Sequence, residues 1–445
     1  MRLIFGTITL LLSCLVSAPA AGQTQSTARD QNAVRDQNAV RDQSAVRDQN
    51  AVQFQGRVQN PPVVHVRSGA EVLLSDSLHL LAGKRIGLLA NHTSRLSNGV
   101  LLFDTLRAVK GLTIAAVFSP EHGFRGTAAD GEAVASGVVA GVPLHSLFGA
   151  TRRPTPEMFA GLDVLVMDLQ DVGARYYTYL STMAMCLETA AAAGLPVIVC
   201  DRPNPVGGEI IEGPIRDDSL RSFVGYLPLP VRHGLTAGEA VRMMVGEGWL
   251  RGAVRPAVSV VPCAGWSRAM YYDETGLPWV RPSPNIISLD AAISYAGMCL
   301  LEGTNISEGR GTDAPFLMFG APFIDADSLT AALNARGLPG VRFHPASFDP
   351  SPRTGAPHPR FNGEHCNGAA LEITDRAAFE SFRSGMEILS VLRARYGAFL
   401  SVTSYLDQLA GVPRIIELSL PAVSQRSADD VQRFTAQRIP YLLYR

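Results

Sequence analysis

The 445-residue sequence predicts an α/β protein, with an open parallel-sheet domain followed by a smaller α/β (or α+β) unit. Three observations carry that reading. From about residue 62, short apolar runs alternate with helical periodicity, the pattern of strand and crossover helix. Four runs, at 86–90, 112–118, 164–167 and 197–199, stop abruptly in dense polar clusters. All strand C-termini of a parallel sheet face one edge, where ligands bind, so four such clusters describe a polar site for a polar small molecule. Near residues 305–325 the texture changes to Gly- and Pro-rich loops. Beyond it, strands are expected near 341–343, 370–373 and 415–418, with a long helix over 377–396. These changes divide the chain into a sheet domain over 62–305 and a second unit over 306–445.

In chain order, Met1-Arg2, the apolar run 3–16 and the small residues Ser17-Ala18-Pro19-Ala20-Ala21-Gly22 read as a secretory signal peptide over 1–22. The run is short for a membrane span, and no later segment is long and apolar enough. Cys14 after Leu11-Leu12-Ser13 faintly resembles a lipoprotein site, but apolar residues follow it, so an exported, unlipidated protein, periplasmic or extracellular, is expected. Arg29-Asp30-Gln31-Asn32-Ala33-Val34 then recurs three times through residue 52, with Ser44 as the one exception. Such a polar hexapeptide buries too little apolar surface to fold alone, so 23–61 reads as a disordered tether.

Within the sheet domain, Tyr177, Leu180, Ala184, Leu187 and Ala191 fall at helical spacing, and Gly194 ends that helix before the strand at 197–199. Thr236-Ala237-Gly238-Glu239 is a capping box opening a helix toward Met244. Residues 258–261 read as a further strand.

Bulk composition excludes several classes. With 47% hydrophobic and 18% charged residues a large core is possible, and nothing in the balance of 39 basic against 40 acidic residues suggests a nucleic-acid partner. Cys186, Cys200, Cys263, Cys299 and Cys366 lack metal-type spacing, and their odd number argues against a full disulfide framework. No Walker loop, dinucleotide fingerprint, G-x-S-x-G elbow or H-E-x-x-H is present, so no metal and no cofactor are expected.

The polar clusters supply the candidate site. The first strand runs into Asn91-His92-Thr93-Ser94 and the second into Ser119-Pro120-Glu121-His122-Gly123-Phe124-Arg125. A carboxyl at 121, between a proline and an aromatic-flanked glycine turn, is placed to have its pKa raised by desolvation, as a general acid requires. Alternatively, Glu121 caps the next helix or pairs with Arg125; His122 reads as the residue orienting the turn. The third strand ends in Asp168, Gln170 and Asp171, followed by Arg175, Tyr176 and Tyr177. Arg175 could grip a carboxylate and the tyrosines stack on a sugar face, although a strand-end Asp commonly caps a helix and Tyr177 could be core. Asp201-Arg202-Pro203-Asn204-Pro205 is stiffened by two prolines and suits a binding wall, or an internal Asp–Arg pair. His233 stands alone before Gly234. Residues 302–313 gather Glu302, Asn305, Glu308, Arg310 and Asp313 among glycines, dense charge in a charge-poor protein.

In these motifs, taken together and in this order, the chain resembles the exo-acting β-N-acetylmuramidases of glycoside hydrolase family 171 over roughly residues 70–440. The resemblance implies a Rossmann-like N-terminal domain, a smaller C-terminal domain and an active cleft between them. It implies release of terminal N-acetylmuramic acid from the non-reducing end of peptidoglycan fragments, with the family's proposed catalytic glutamate falling on Glu121. Glycoside hydrolysis needs an acid and normally a second carboxylate. Asp168, Asp171, Glu302, Glu308 and Asp313 compete for the second role, of which Asp168 and Glu302 lead, and the sugar's acetamido group is an alternative nucleophile. Arg175, Arg202 or Arg310 could read the lactyl carboxylate of the sugar. A non-catalytic sugar-acid binding protein is the competing reading; an esterase or amidase lacks an activated Ser or Cys motif.

Overall fold

The structure, a computed structural model, describes residues 65–445; the expected signal peptide, Cys14 and the hexapeptide array lie outside the described residues. The chain begins with α1 (Gly69–Asp76), β1 (Arg85–Ala90), α2 (Leu102–Ala108) and β2 (Thr113–Ser119). A hairpin of β3 (Gly137–Val139) and β4 (Val142–Ser146) follows, then β5 (Val164–Asp168), α3 (Tyr179–Ala192), β6 (Val197–Cys200), α4 (Ala237–Gly246) and β7 (Val258–Val261). These strands form one seven-stranded sheet ordered β3-β4-β2-β1-β5-β6-β7, parallel except for the β3–β4 pair.

The apolar runs read from the sequence are buried on both faces, which is why they are continuous rather than alternating. Along β1 and β5 successive side chains fall on opposite sides of the sheet. Leu89, Leu165 and Met167 enter the larger core, whereas Ile86, Leu88, Val164 and Val166 enter the core under α1 and α2. Each fully buried aliphatic side chain contributes about 1.5–3 kcal/mol. The capping box at Thr236 and Glu239 is present in both directions and starts α4. Gly194 adopts φ +64° just past α3, which only a residue without Cβ does at little cost.

The second part of the chain holds α5 (Leu289–Met298), β8 (Met318–Ala321), α6 (Ala326–Asn334), β9 (Val341–Phe348), β10 (Cys366–Ile373), α7 (Ser381–Tyr396), α8 (Tyr405–Ala410) and α9 (Leu420–Arg438). Its sheet is antiparallel, ordered β8-β10-β9. Three sequence expectations are corrected here. The strand expected at 415–418 is a single 3-10 turn, Ile415–Glu417, because only Ile415 is buried and among the described residues no strand pairs with it. β8 falls where the sequence read as loop. The α9 helix, polar on most of its surface, carried too weak an apolar stripe to be seen.

One core runs unbroken from the α3 face of the large sheet through α5 and α7 to the small sheet. Here α5 and α7 pack backbone on backbone: a Cβ on Gly297 of α5 would stand 2.0 Å from the Ser381 carbonyl oxygen of α7. The five described cysteines are free and buried.

Candidate active site

The sheet reverses its direction of winding at β1, with β2 on one side and β5 on the other. In open α/β sheets a crevice opens beyond the strand ends at such a point. Here it is a cavity of about 280 Å³. The β2 end supplies Glu121 and His122, the segment between β5 and α3 supplies Tyr176, Tyr177 and Thr178, and the far wall is built from α5, residues 299–316 and α8.

Glu121 is 5% exposed. His122 and Gly123, at φ 68° and 73°, turn the chain sharply after it, and the His122 ring Nδ1 lies 3.0 Å from the Ala128 carbonyl oxygen to pin the turn. Thr178 Oγ1 donates to one carboxyl oxygen of Glu121 at 2.6 Å and the Gly131 N–H to the other at 3.0 Å. Burial, with the Asp130 carboxylate beside it, pushes Glu121 up to about 7 against the opposing pull of those two donors. Burial pushes His122 down, which favours its neutral form.

Opposite stands a group of acids gathered by one guanidinium. Arg310 reaches Glu302 at 2.5 Å, Glu308 at 3.0 Å and Asp130 at 3.2 Å, while lying 4.8 Å over the Phe316 ring. Burial drives Glu302 up to about 7; Arg310 pulls it down, and Asp130 and Glu308 push it up again. A single cation cannot compensate three carboxylates, so the site favours holding protons near neutral pH.

Between the acids runs an aromatic wall. Tyr176 and Tyr295 meet edge to face at 5.2 Å, Tyr177 and Tyr295 at 6.4 Å, and Tyr295 and Phe316 at 4.8 Å. The Tyr176 hydroxyl is spent on the Tyr295 carbonyl at 2.9 Å, while the buried Tyr177 hydroxyl has no partner among the described residues. Apolar ring faces flanked by carboxyls suit a sugar, whose C–H face is apolar and whose rim is polar. A second groove of about 530 Å³ shares Asp130, Glu302, Arg310 and Tyr405 with the cavity and continues past Glu308, His358 and Arg360. Among the described residues no group of His, Cys, Asp and Glu converges as a metal site.

Of the residues singled out by sequence, Glu121, His122, Tyr176, Tyr177, Glu302 and Arg310 line the cavity and Glu308 the adjoining groove. The others are spent on the protein itself. Asp168 and Arg202 form a buried ion pair, with Arg202 Nε 2.5 Å from one oxygen and Nη2 2.9 Å from the other. Arg175 is buried, gives its two terminal nitrogens to the carbonyls of Pro214, Leu229 and Leu409, each at 2.7 Å, and does not line the cavity. Asn91 orders Thr93 and donates to Tyr179; Gln170 spans to the Pro203 carbonyl; Asn204 donates to the Leu235 carbonyl. Asp171 accepts from the Gly173 N–H and faces His233 at 3.4 Å. Asp201 accepts from Thr236, the Gly238 N–H and Tyr444, which makes it a cap for α4. Asn305 clamps residues 399 and 401, Arg125 is exposed outside the cavity, and Asp313 lies in solvent with Arg353.

Sequence reasoning missed Asp130, Arg152, Thr178, Tyr295 and Tyr405. Asp130-Gly131 is a turn signal only nine residues past Glu121 and could have been linked to it. Tyr295 sits in an apolar helical run and reads as core, so no local signal marks it.

Comparison with known proteins follows the same lines. Residues 86–290 match the family described as exo-β-N-acetylmuramidase NamZ, N-terminal, and residues 293–444 match its C-terminal counterpart. The chain is 40% identical over 393 residues to the peptidoglycan β-N-acetylmuramidase NamZ of Bacillus subtilis, covering 85% of this chain and 91% of that protein. Crystal structures of two DUF1343-family proteins from Bacteroides fragilis superpose with TM-scores of 0.78 and 0.69. They are 33% and 31% identical, cover 86% and 85% of this chain, and are themselves covered over 100% and 99% of their length.

Proposed function

The chain belongs to the exo-β-N-acetylmuramidase NamZ family, and from that premise we propose that it hydrolyses terminal non-reducing N-acetylmuramic acid from peptidoglycan fragments, with Glu121 as general acid. The observation that carries the role of Glu121 is its position: a nearly buried carboxyl at a strand end, held at both oxygens, with a pKa of about 7 in a cavity walled by aromatic rings. Such an acid keeps its proton at neutral pH and can give it to the glycosidic oxygen as the C1–O bond breaks. The leaving sugar departs as an alcohol with that proton. Water, losing a proton to the site, ends as the hydroxyl on C1.

Glu302 and Asp130 are the two carboxylates of the cavity that could act with Glu121, as base, nucleophile or orienter of the acetamido group. Asp168, Asp171 and Asp313 leave that contest, because each is engaged away from the cavity. The ring of tyrosines would take the sugar face. A wall-derived substrate agrees with the export expected from residues 1–22.

The test is incubation of purified protein with N-acetylmuramyl-β-1,4-N-acetylglucosamine and analysis of the released monosaccharides. Glu121→Gln keeps the shape and one of the two hydrogen-bond acceptors while removing the acidic proton. It is expected to fold normally and to lose about a hundred- to ten-thousandfold in kcat. Undiminished turnover would remove Glu121 from the mechanism. Tight binding of the intact disaccharide without product would replace hydrolysis by simple capture.

A further inference from the structure

We propose that Arg152 recognises the lactyl carboxylate that distinguishes N-acetylmuramic acid from N-acetylglucosamine. The inference rests on the muramidase reading above and gives it a specificity determinant. A guanidinium is the side chain best matched to the carboxylate of the lactyl arm, and the three arginines that the sequence offered for that task are engaged elsewhere. Arg175 is committed to carbonyls, Arg202 to Asp168, and Arg310 to three carboxylates.

Arg152 also lines the cavity, and among the described residues it has no carboxylate partner and no hydrogen-bond acceptor. Its neighbour behaves in the opposite way. Arg153 turns inward, pairs with Glu188 and donates to the Tyr226 hydroxyl at 3.2 Å. Arg152 instead lies 5.0 Å from the ring centre of Phe148 and 4.5 Å from that of Phe223. The two rings are 5.8 Å apart and tilted by 43°, so they form a seat on which the guanidinium rests. Cation–π contact fixes the plane of the group without using any of its N–H bonds. All five donors stay available to an incoming anion, in the fork geometry that matches a carboxylate.

A second feature points the same way. Ser222, next to Phe223 on the cavity wall, carries a buried hydroxyl oxygen with no partner among the described residues. Buried hydroxyls are normally satisfied, and this one belongs to the lining of the same cavity as Arg152. An unspent guanidinium and an unpartnered hydroxyl are thus both present in the wall of the cavity that would take the sugar.

The test compares hydrolysis of chromogenic β-glycosides of N-acetylmuramic acid and N-acetylglucosamine by wild type, Arg152→Gln and Arg152→Lys, with calorimetric binding of the two free sugars to each. Arg152→Gln is expected to raise KM for the muramic glycoside and to lower the muramic-to-glucosamine ratio of kcat/KM by roughly ten- to a hundredfold. Arg152→Lys should recover only part of that ratio, since an ammonium supplies charge without the fork. An unchanged ratio in a folded Arg152→Gln protein, or unchanged affinity for N-acetylmuramic acid, would overturn the assignment of Arg152 alone. A wild type that binds N-acetylmuramic acid and releases no product would instead overturn the muramidase reading while leaving Arg152 to be judged by binding.

Discussion

Replacing Asp130 with Asn removes the charge beside Glu121 and keeps the shape of the loop. Glu121 stands at about 7 rather than 4.5, a preference for the protonated form worth roughly 3 kcal/mol. Burial is the larger cause and Asp130 the next. Two bare carboxylates about 4 Å apart at an effective dielectric of about 20 repel by about 4 kcal/mol. Asp130, however, is 47% exposed and holds Arg310, so most of that repulsion is screened or compensated. About 1 kcal/mol remains, which corresponds to somewhat under one pH unit. A general acid works protonated, so activity is lost as pH rises through its pKa. The alkaline limb of kcat/KM, measured on a chromogenic muramic glycoside from pH 4 to 9, should therefore move down by about 0.7 unit in Asp130→Asn. Arg310, freed of one partner, adds to the same direction. Thr178→Val supplies the opposite sign, because it deletes a 2.6 Å donor that favours the ionised carboxylate. An alkaline limb that stays in place or moves upward in Asp130→Asn would refute the account of how Glu121 keeps its proton.

Two further outcomes test the scaffold. Arg202→Gln leaves Asp168 buried without its partner and should cost about 3–5 kcal/mol in urea unfolding while the folded fraction keeps a near-normal kcat. Lost turnover at unchanged stability would instead return the pair to the chemistry. Gly297→Ala forces a methyl against the Ser381 carbonyl where α5 crosses α7, and overpacking of this kind costs about 1–3 kcal/mol or more in the same assay; a neutral result would mean the helices separate freely.

The motif at 119–123 announced a carboxyl on a tight turn at a strand end because its neighbours in sequence are also its neighbours in space. The other strand-end clusters were legible as a polar edge but not as a division of labour. Asp168, Arg175, Asp201 and Arg202 look, in sequence, like the ligand-facing residues they border. Whether a charged side chain meets substrate or protein depends on partners 34 to more than 200 positions away, such as the Leu409 carbonyl that occupies Arg175. No local pattern encodes such a partner.

Local chemistry alone thus determined the parallel strands, the capping box at Thr236 and a carboxyl on the strand-end turn at 121. Those features follow from hydrophobic period, side-chain hydrogen bonding and turn geometry acting over a few residues. Tertiary structure decided the rest, from the antiparallel second sheet to the convergence of Asp130, Glu302 and Arg310 on Glu121 and the seat of Arg152 between Phe148 and Phe223. Burial and charge proximity are properties of a folded neighbourhood, and they set which carboxyl keeps its proton and which guanidinium stays unspent.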